Sequence, residues 1–141
     1  SNKYQIGDLL AFGGLFGWIL GRVGCTMIHD HMGVMSEFFL AMDWPGGTRL
    51  EMALLEIIGL VPLAIIFYIV RDKGKQEGWF LSLLLIYYAI LRFILDFFRA
   101  TDIAYADARY GGLTPAQYFA ILLLIIGVYI YSKTRRGGRV V

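Results

Sequence analysis

Four long apolar stretches, separated by polar segments, dominate the chain. They run over about residues 6–23, 50–70, 79–98 and 115–131. Each approaches the roughly 20 residues that a helix needs to cross the hydrocarbon core of a bilayer. Thr114 and Pro115 form a typical N-cap and first helical residue for the last stretch. The pattern predicts one all-α integral membrane domain over residues 1–141, with about four transmembrane helices.

The polar segments that join these stretches are residues 24–49, 71–78 and 99–114. Pro45 and the two glycines after it predict a turn in the first of them. Residues 36–42 fit either a short strand or an interfacial segment. Within the first apolar stretch, Gly13, Gly17 and Gly21 recur at every fourth position. Small residues at this spacing let another helix approach closely, so this helix is predicted to pack in a bundle.

The charges of the polar segments predict the orientation of the helices. Basic residues are concentrated in residues 71–78 and after residue 131, whereas residues 24–49 and 99–114 carry at least as many acidic as basic residues. The positive-inside rule therefore places the short loop and both termini in the cytoplasm. The two longer loops are then extracytoplasmic.

The composition supports a membrane protein and excludes several other classes. Hydrophobic residues make up 58% of the chain, charged residues 17%, and the mean hydropathy is +0.63. A soluble domain is usually about half apolar and a quarter charged. The net charge of +2 gives no sign of a nucleic-acid partner, and one cysteine excludes an intramolecular disulfide framework. The chain begins at Ser1 with neither an initiator Met nor a signal-peptide pattern, which predicts a fragment or a trimmed chain.

Charged residues inside the predicted helices are the first candidates for function, because charge within a bilayer is costly. Arg22 ends the first stretch and Arg92 lies within the third. An arginine fork binds phosphate in a bidentate manner, so the two predict a site for an anionic phospholipid headgroup. The alternative is that both extend toward the interface, or pair with Glu56 and Asp96 only to stabilise the bundle.

The third stretch ends in a group of three charged residues. Arg92, Asp96 and Arg99 are spaced i, i+4 and i+7, which places them on one helical face. Asp96 is interpreted as an ion-pair partner that fixes the arginine geometry, with a substrate contact or proton acceptor as the alternative. Glu56 is predicted to be another arginine partner. In the predicted topology, these residues and Arg22 lie near the outer membrane face.

Both histidines of the chain lie in the tripeptide His29, Asp30 and His31. Histidine transfers protons near neutral pH, so these residues are candidates for a general base that activates a thiol or hydroxyl. The alternative is a solvated loop with no catalytic role. A metal needs three or four ligands and no ligand spacing is recognisable, so no metal site is predicted. Cys25 is interpreted as a small buried residue rather than a nucleophile.

Four short segments of the sequence resemble known motifs. Residues 21–33 read Gly-Arg-Val-Gly-Cys-Thr-Met-Ile-His-Asp-His-Met-Gly, and residues 50–56 read Leu-Glu-Met-Ala-Leu-Leu-Glu. Residues 92–99 read Arg-Phe-Ile-Leu-Asp-Phe-Phe-Arg, and residues 112–117 read Gly-Leu-Thr-Pro-Ala-Gln. In this order they resemble four motifs of the prolipoprotein diacylglyceryl transferase family. Those motifs are Gly-Arg-x-Gly-Asn-Phe-x-Asn-Gly-Glu-x-x-Gly, His-Pro-Thr-Gln-Leu-Tyr-Glu, Arg-Phe-x-x-Glu-Phe-x-Arg and Gly-Leu-Ser/Thr-x-x-Gln.

The resemblance implies a reaction and its partners. A diacylglyceryl group passes from phosphatidylglycerol to the thiol of a lipobox cysteine on a preprolipoprotein, without a cofactor, in lipoprotein biosynthesis. The family has seven spanning helices and a cytoplasmic C-terminus. The chain therefore looks like the last four helices of a multi-pass protein of the bacterial plasma (inner) membrane.

The resemblance also implies roles for the candidate residues. Two arginines hold the lipid phosphate and stabilise the charge that grows on the leaving group, while neighbouring residues orient them or take the thiol proton. The residues expected to act in catalysis are Arg22, Arg92, Asp30, His29 and His31. The residues expected to bind the headgroup are Arg22, Arg92, Arg99, Asp96, Glu56 and Gly33.

Several positions depart from the family pattern. Cys25 and Ile28 stand where the signature has Asn, and Leu50 stands where the second motif has His. The family's earlier helices, with a His-Gly-Gly motif, have no counterpart in this sequence. The chain is then either part of an active divergent enzyme or a relative with a changed substrate or no chemistry. In the second case it binds anionic phospholipid, or a partner helix through the face of Gly13, Gly17 and Gly21.

Overall fold

The computed structural model describes residues 2–29, 31–102 and 108–137. Four helices are long and apolar enough to cross a membrane, so the predicted helical membrane fold is confirmed. The helices are α1 (Asn2–Ile28), α2 (Met52–Val70), α3 (Trp79–Leu95) and α4 (Pro115–Gly137), and a 3-10 turn (Asp96–Phe98) follows α3. Between α1 and α2 lie three short strands, β1 (Met32–Met35), β2 (Met42–Trp44) and β3 (Gly47–Glu51).

The helix boundaries differ from the sequence prediction at several ends. Helix α1 continues to Ile28, so the predicted loop from residue 24 begins one turn later. Helix α2 begins at Met52 rather than at residue 50, because Glu51 acts as its N-cap and accepts a hydrogen bond from the Ala53 amide at 3.4 Å. Helix α4 extends to Gly137, beyond the apolar stretch that predicted it.

The segment between α1 and α2 forms an antiparallel sheet in the order β1-β3-β2, which the all-α prediction lacked. Trp44 pairs with Gly47, so Pro45 and Gly46 form the predicted turn. Gly46 has φ 98°, a left-handed conformation that favours glycine. Within residues 36–42, only Met42 belongs to a strand, and residues 36–41 form the loop before it.

Helices α1, α2 and α3 meet in an apolar core. Leu15 of α1 and Leu60, Leu63 and Phe67 of α2 are almost fully buried. Phe67 packs edge-on against Phe80 of α3 with ring centroids 4.9 Å apart. Helix α4 packs against α3, where Gly127 allows Ile86 to approach closely. The four helices therefore hold their ends in fixed relative positions, which matters because the charged residues lie at those ends.

Helix α1 packs in the bundle as predicted, but it does not pack through the face of its glycines. Gly13, Gly17 and Gly21 have nothing within 4 Å of the position that a Cβ atom would take, among the described parts of the chain. Helix α1 instead contacts its neighbours through Ala11 and Leu15, which lie on another side of the helix. The glycine face is therefore an open surface of the bundle.

Charged or polar contacts join the helices at both ends of the bundle. At one end, the Asp8 carboxylate of α1 accepts hydrogen bonds from the amides of Gly78 (2.7 Å) and Leu81 (2.8 Å) at the start of α3. At the other end, the C-terminal ends of α1 and α3 meet the N-terminal ends of α2 and α4 beside the sheet. The second end contains the candidate residues, and its assignment to the outer membrane face stays a prediction.

Candidate functional site

Glu56 joins three helices at the centre of the candidate site. It lies in α2, and its side chain is only 2% exposed. One carboxylate oxygen, Oε1, accepts a hydrogen bond from Trp18 Nε1 at 2.8 Å. The other, Oε2, lies 3.1 Å from Arg22 Nη2 and 3.3 Å from Arg92 Nη1. The prediction that Glu56 is an arginine partner is confirmed, and both arginines contact the same oxygen.

Asp96 continues this set of contacts at the end of α3. Its Oδ1 lies 3.2 Å from Arg92 Nε, which confirms the predicted ion pair one helical turn apart. Its Oδ2 accepts a short hydrogen bond from the Thr114 hydroxyl at the start of α4. Asp96 is 1% exposed, so both contacts are shielded from solvent. We call Trp18, Arg22, Glu56, Arg92 and Asp96 the arginine network.

The pairing pattern of the arginine network follows from the cost of buried charge. A buried ion is strongly destabilising unless opposite charges and hydrogen bonds surround it. Glu56 has three donors, and Arg92 contacts two carboxylates. The Arg22 guanidinium also lies over the Trp18 ring, 5.2 Å from its centroid, which adds a cation–π contact. The two arginines are therefore held in place by side chains of the bundle.

The start of α4 is fixed by a reciprocal capping arrangement. The Thr114 hydroxyl accepts a hydrogen bond from the Gln117 amide at 3.2 Å, and Gln117 Oε1 accepts one from the Thr114 amide at 2.9 Å. This confirms the predicted N-cap. Gln117 Nε2 also donates to the Phe93 carbonyl of α3 at 3.0 Å. The cap therefore connects α4 to the end of α3, where Asp96 lies.

His31 contacts the arginine network directly. Arg22 Nη1 lies 3.2 Å from His31 Nε2, and a guanidinium can only donate, so this ring nitrogen accepts. The His31 carbonyl in turn accepts a hydrogen bond from the Met52 amide at 3.0 Å, at the start of α2. His31 Nε2 is therefore engaged in positioning Arg22.

His29 lies apart from Arg22 and beside a buried carboxylate. Its Nδ1 is 3.5 Å from Glu51 Oε2, and its ring meets the Trp44 ring edge-on with centroids 5.5 Å apart. His29 has φ 51°, a left-handed conformation that favours glycine, and the ninth position of the family signature is Gly. The next residue, Asp30, lies outside the described residues, so its predicted role stays a prediction.

Arg99 does not share the helical face of Arg92 and Asp96, so that part of the prediction is wrong. Helix α3 ends at Leu95, and Arg99 has an extended backbone after the 3-10 turn. There it forms a bridge with Gly33 of β1. A Cβ atom on Gly33 would lie 2.7 Å from the Leu50 Cβ, so this position requires glycine. The structure shows Gly33 as a packing position, and its predicted contact with substrate stays a prediction.

A second buried arginine holds the sheet against the segment that follows α3. Arg49 of β3 donates from Nη1 and Nη2 to the two carboxylate oxygens of Asp102, at 2.9 Å and 2.7 Å. It also donates to the Gly33 carbonyl at 3.3 Å. The hydrogen bonds from Arg49 hold the pKa of the Asp102 carboxyl below its ordinary value of 3.8. This bidentate pair therefore holds the sheet in place beside the candidate site.

Sequence reasoning missed several residues of this site. From the sequence, Trp18 is one of many interfacial aromatics, Arg49 is an ordinary loop charge, and Glu51 lies in the first turns of the second predicted helix. The capping signal at Thr114 was visible, but its hydrogen bond to Asp96 depends on how α3 and α4 pack. Among the described residues, no group of three or more His, Cys, Asp or Glu side chains is arranged to hold a metal ion.

Comparison with known proteins identifies the family. The sequence profile described as prolipoprotein diacylglyceryl transferase matches residues 1–133. Proteins named phosphatidylglycerol–prolipoprotein diacylglyceryl transferase from Idiomarina loihiensis and Campylobacter hominis are 30% and 26% identical, over 94% and 99% of this chain. A protein of that name from Legionella pneumophila is 30% identical over 93% of the chain.

These matches cover 51%, 50% and 53% of the three relatives, so the chain spans about half the length of the curated relatives it matches. The profile covers nearly all of the chain, including the whole arginine network. The residues that carry the motifs are also the residues that the structure brings together at one end of a bundle of apolar helices. The chain belongs to the prolipoprotein diacylglyceryl transferase family.

Proposed function

We propose that this protein binds the headgroup of phosphatidylglycerol at Arg22 and Arg92 and transfers the diacylglyceryl group to the cysteine thiol of a lipobox peptide. One observation carries the proposal: guanidinium groups from two helices contact the same oxygen of Glu56. They are therefore close enough for one anion to contact both. Arg92 Nη2 makes no hydrogen bond to the described residues, so it is available to a phosphate oxygen.

The arginine network suits a reaction in which negative charge moves to a leaving group. The thiol sulfur attacks the carbon of the diacylglyceryl group that is bonded to a phosphate oxygen, a carbon–sulfur bond forms, and the bond from that carbon to the oxygen breaks. Glycerol phosphate leaves with the bonding electron pair, and the thiol proton passes to a base or to water. Fixed guanidinium groups stabilise this charge without having to reorganise during the reaction. Glu56 and Asp96 contribute by holding Arg22 and Arg92 in position.

The proposed location is the bacterial plasma (inner) membrane, with the arginine network near the extracytoplasmic face. Four apolar helices and the bacterial relatives support a membrane location. The partners are then phosphatidylglycerol of the bilayer and the lipobox segment of a preprolipoprotein, and neither a cofactor nor a nucleic acid takes part.

A second candidate function is non-catalytic binding of anionic lipid, with a partner helix on α1. The open face of Gly13, Gly17 and Gly21 favours it, because small residues without neighbours allow a further helix to approach. This protein would bind phosphatidylglycerol through the same arginines and form no thioether.

The test uses the purified protein in phosphatidylglycerol vesicles with a lipobox peptide. Mass spectrometry measures the diacylglyceryl adduct on the peptide cysteine. Arg22→Ala and Arg92→Ala are each expected to lower the rate by about 10²–10³-fold, the usual loss for one charge-stabilising donor. Arg71→Ala is the matched control, because Arg71 is an exposed arginine at the other end of the bundle that pairs with Asp72.

Full turnover by either folded network variant would contradict the arginine site. Lipid binding without adduct in the unmodified protein would favour the second candidate function. Repeating the assay with a longer chain that includes the upstream coding sequence separates an incomplete enzyme from a binding relative.

A further inference from the structure

We propose that Trp18 is a positioning residue for the phosphate site, because its indole N–H keeps one nitrogen of Arg92 free for the lipid headgroup. This role rests on the proposed binding of phosphatidylglycerol at Arg22 and Arg92. Trp18 lies in α1, three residues before Gly21, the first residue of the family signature. None of the four motifs that the chain shares with the family includes this position.

The contacts of Glu56 differ from the common geometry of an arginine–carboxylate pair. Arginine and carboxylate frequently pair through two parallel hydrogen bonds, one to each oxygen. Here Arg22 and Arg92 each contact the same oxygen, Oε2, through a single nitrogen, at 3.1 Å and 3.3 Å. The carboxylate is almost fully buried, which would favour the stronger two-bond contact. The other oxygen, Oε1, must therefore be held by a different donor.

The indole of Trp18 is that donor. Its Nε1 donates to Glu56 Oε1 at 2.8 Å, which is shorter than either arginine contact. The indole is itself held by two further contacts. Its ring meets the Tyr88 ring edge-on with centroids 6.0 Å apart, and the Arg22 guanidinium lies over its face. These contacts keep the indole in the orientation that directs its N–H toward Oε1.

Occupation of Oε1 leaves one nitrogen of Arg92 available. Its Nη1 contacts Glu56 Oε2, and its Nε lies 3.2 Å from Asp96 Oδ1. Nη2 makes no hydrogen bond to the described residues, and the side chain is 18% exposed. If Oε1 were open, Nη1 and Nη2 could bind the two oxygens of Glu56 together. That bidentate pair would occupy the nitrogen that a phosphate oxygen needs.

Arg22 is constrained in a different way, so the N–H of Trp18 matters mainly for Arg92. The two terminal nitrogens of Arg22 already contact Glu56 Oε2 and His31 Nε2, at 3.1 Å and 3.2 Å. Trp18 contacts Arg22 through the face of its ring and affects Arg92 through Glu56 Oε1. Phenylalanine keeps an aromatic face and lacks the N–H, so Trp18→Phe separates the two contributions.

The first test measures how the transfer rate depends on the fraction of phosphatidylglycerol in phosphatidylcholine vesicles. Trp18→Phe is expected to raise the KM for phosphatidylglycerol by about 10–100-fold, the usual loss of one hydrogen bond to a charged group. We expect kcat to change much less, because the phosphate is anionic before and during the transfer. Trp79→Phe is the matched control. Trp79 begins α3 at the other end of the bundle, where its ring contacts Phe80, and its variant should keep the KM.

The second test asks whether Trp18 acts through the guanidinium of Arg92. Lysine has a single ammonium group and cannot form a bidentate pair, so Arg92→Lys removes the competing contact that Trp18 prevents. Titration with short-chain phosphatidylglycerol in detergent micelles measures binding without turnover. Trp18→Phe should weaken binding in the unmodified background and change it little in the Arg92→Lys background. Additive losses, which are typical of independent residues, would overturn the proposed role.

The third test observes Arg92 without lipid and without turnover. Nitrogen-15 NMR of the arginine side chains reports which guanidinium nitrogens are hydrogen-bonded. In Trp18→Phe we expect the Nη2 signal of Arg92 to shift, because this nitrogen gains a contact with Glu56 Oε1. The Trp79→Phe spectrum should match that of the unmodified protein. An unchanged Arg92 spectrum in Trp18→Phe would overturn the proposed role.

The outcomes separate the role of Trp18 from the proposed function. An unchanged KM in a folded Trp18→Phe protein would overturn the positioning role and leave the arginine site standing. A fall in kcat alone would also overturn it, since a residue that only maintained the fold would change the amount of active protein and leave the KM unchanged. If the unmodified protein forms no adduct, the proposed transfer fails for this chain, and the nitrogen-15 measurement still tests Trp18.

Discussion

Glu51 and Glu56 are both buried at the start of α2, yet the structure gives them different surroundings. Glu56 receives donors from Trp18, Arg22 and Arg92, which approach from two other helices. Glu51 caps its own helix, and its side chain lies beside a half-exposed histidine. Glu56 therefore has both oxygens occupied by permanent donors. Glu51 instead contacts a group that can gain and lose a proton.

Burial of a carboxylate therefore does not define its role. A carboxylate enclosed by arginines holds them in place, because both of its oxygens are engaged by donors from other helices. A carboxylate that caps a helix fixes the start of that helix instead. The partners, rather than the exposed fraction, separate a carboxylate that positions arginines from one that caps a helix.

The largest expected effect comes from breaking the arginine network at its centre. Glu56→Leu leaves two partly buried arginines without the carboxylate that they share. We expect the free energy of unfolding in detergent to fall by about 3–5 kcal/mol, the usual loss when one partner of a buried ion pair is removed. Serine is itself a good N-cap, so Glu51→Ser should cost no more than about 1 kcal/mol. Circular dichroism measures the unfolding of both variants. Equal losses of unfolding free energy would refute the expected difference between Glu56 and Glu51.

A smaller effect tests whether Asp96 belongs with Glu56. Thr114→Val removes both the hydrogen bond to Asp96 and the cap of α4. We expect a loss of about 2 kcal/mol in unfolding free energy, because one substitution leaves two groups without a partner. Thr114→Ser keeps the hydroxyl and should recover most of this stability. A valine variant as stable as the serine variant would show that the hydrogen bond contributes little.

A carboxylate at the opposite end of the bundle extends the comparison. Asp8 caps α3 from another helix, whereas Glu51 caps its own. Asp8→Asn keeps one acceptor oxygen and loses the charge at the helix N-terminus, so we expect a loss of about 1 kcal/mol. Hydrogen exchange at the Leu81 amide should become faster. Unchanged exchange there would contradict the cap.

The smallest effect is expected at the half-exposed carboxylate of Asp102. Arg49 lowers its pKa in the folded state, so the pair contributes stability above the unfolded value of 3.8, and this is lost as pH falls through the lower folded value. The thermal midpoint of the unmodified protein should approach that of Asp102→Asn as the solution becomes more acidic. A difference between the two that stays constant into strong acid would contradict the linkage.

The sequence alone predicted the four helices, the cap at Thr114 and the arginine partners. Long apolar runs, capping residues and charges inside apolar runs are local signals, and they do not depend on how the helices pack. The contacts of Glu56 with Arg92 and of Asp96 with Arg92 followed from the same logic, because a buried charge requires a partner.

The remaining features depended on tertiary structure. The sheet between α1 and α2 has strands of only three to five residues, too short for a clear alternating pattern. Arg99 left the helical face because α3 ends before it and its backbone pairs with Gly33. The pairing of His29 with Glu51 joins residues 22 positions apart, and no motif in the sequence connects them.

Helix α1 carries two charged side chains that other helices hold in place, and their spacing affects the surrounding lipid. Asp8 and Arg22 are 14 residues apart in one continuous helix, which corresponds to about 21 Å along its axis. The hydrocarbon core of a typical bilayer is about 30 Å thick. The two charged groups therefore cannot both reach the boundaries of an unperturbed bilayer through their backbone positions alone. Since Glu56 holds the Arg22 side chain and the start of α3 holds that of Asp8, thinning of the membrane beside α1 is the adjustment that remains, and it brings the lipid headgroups toward the arginine network.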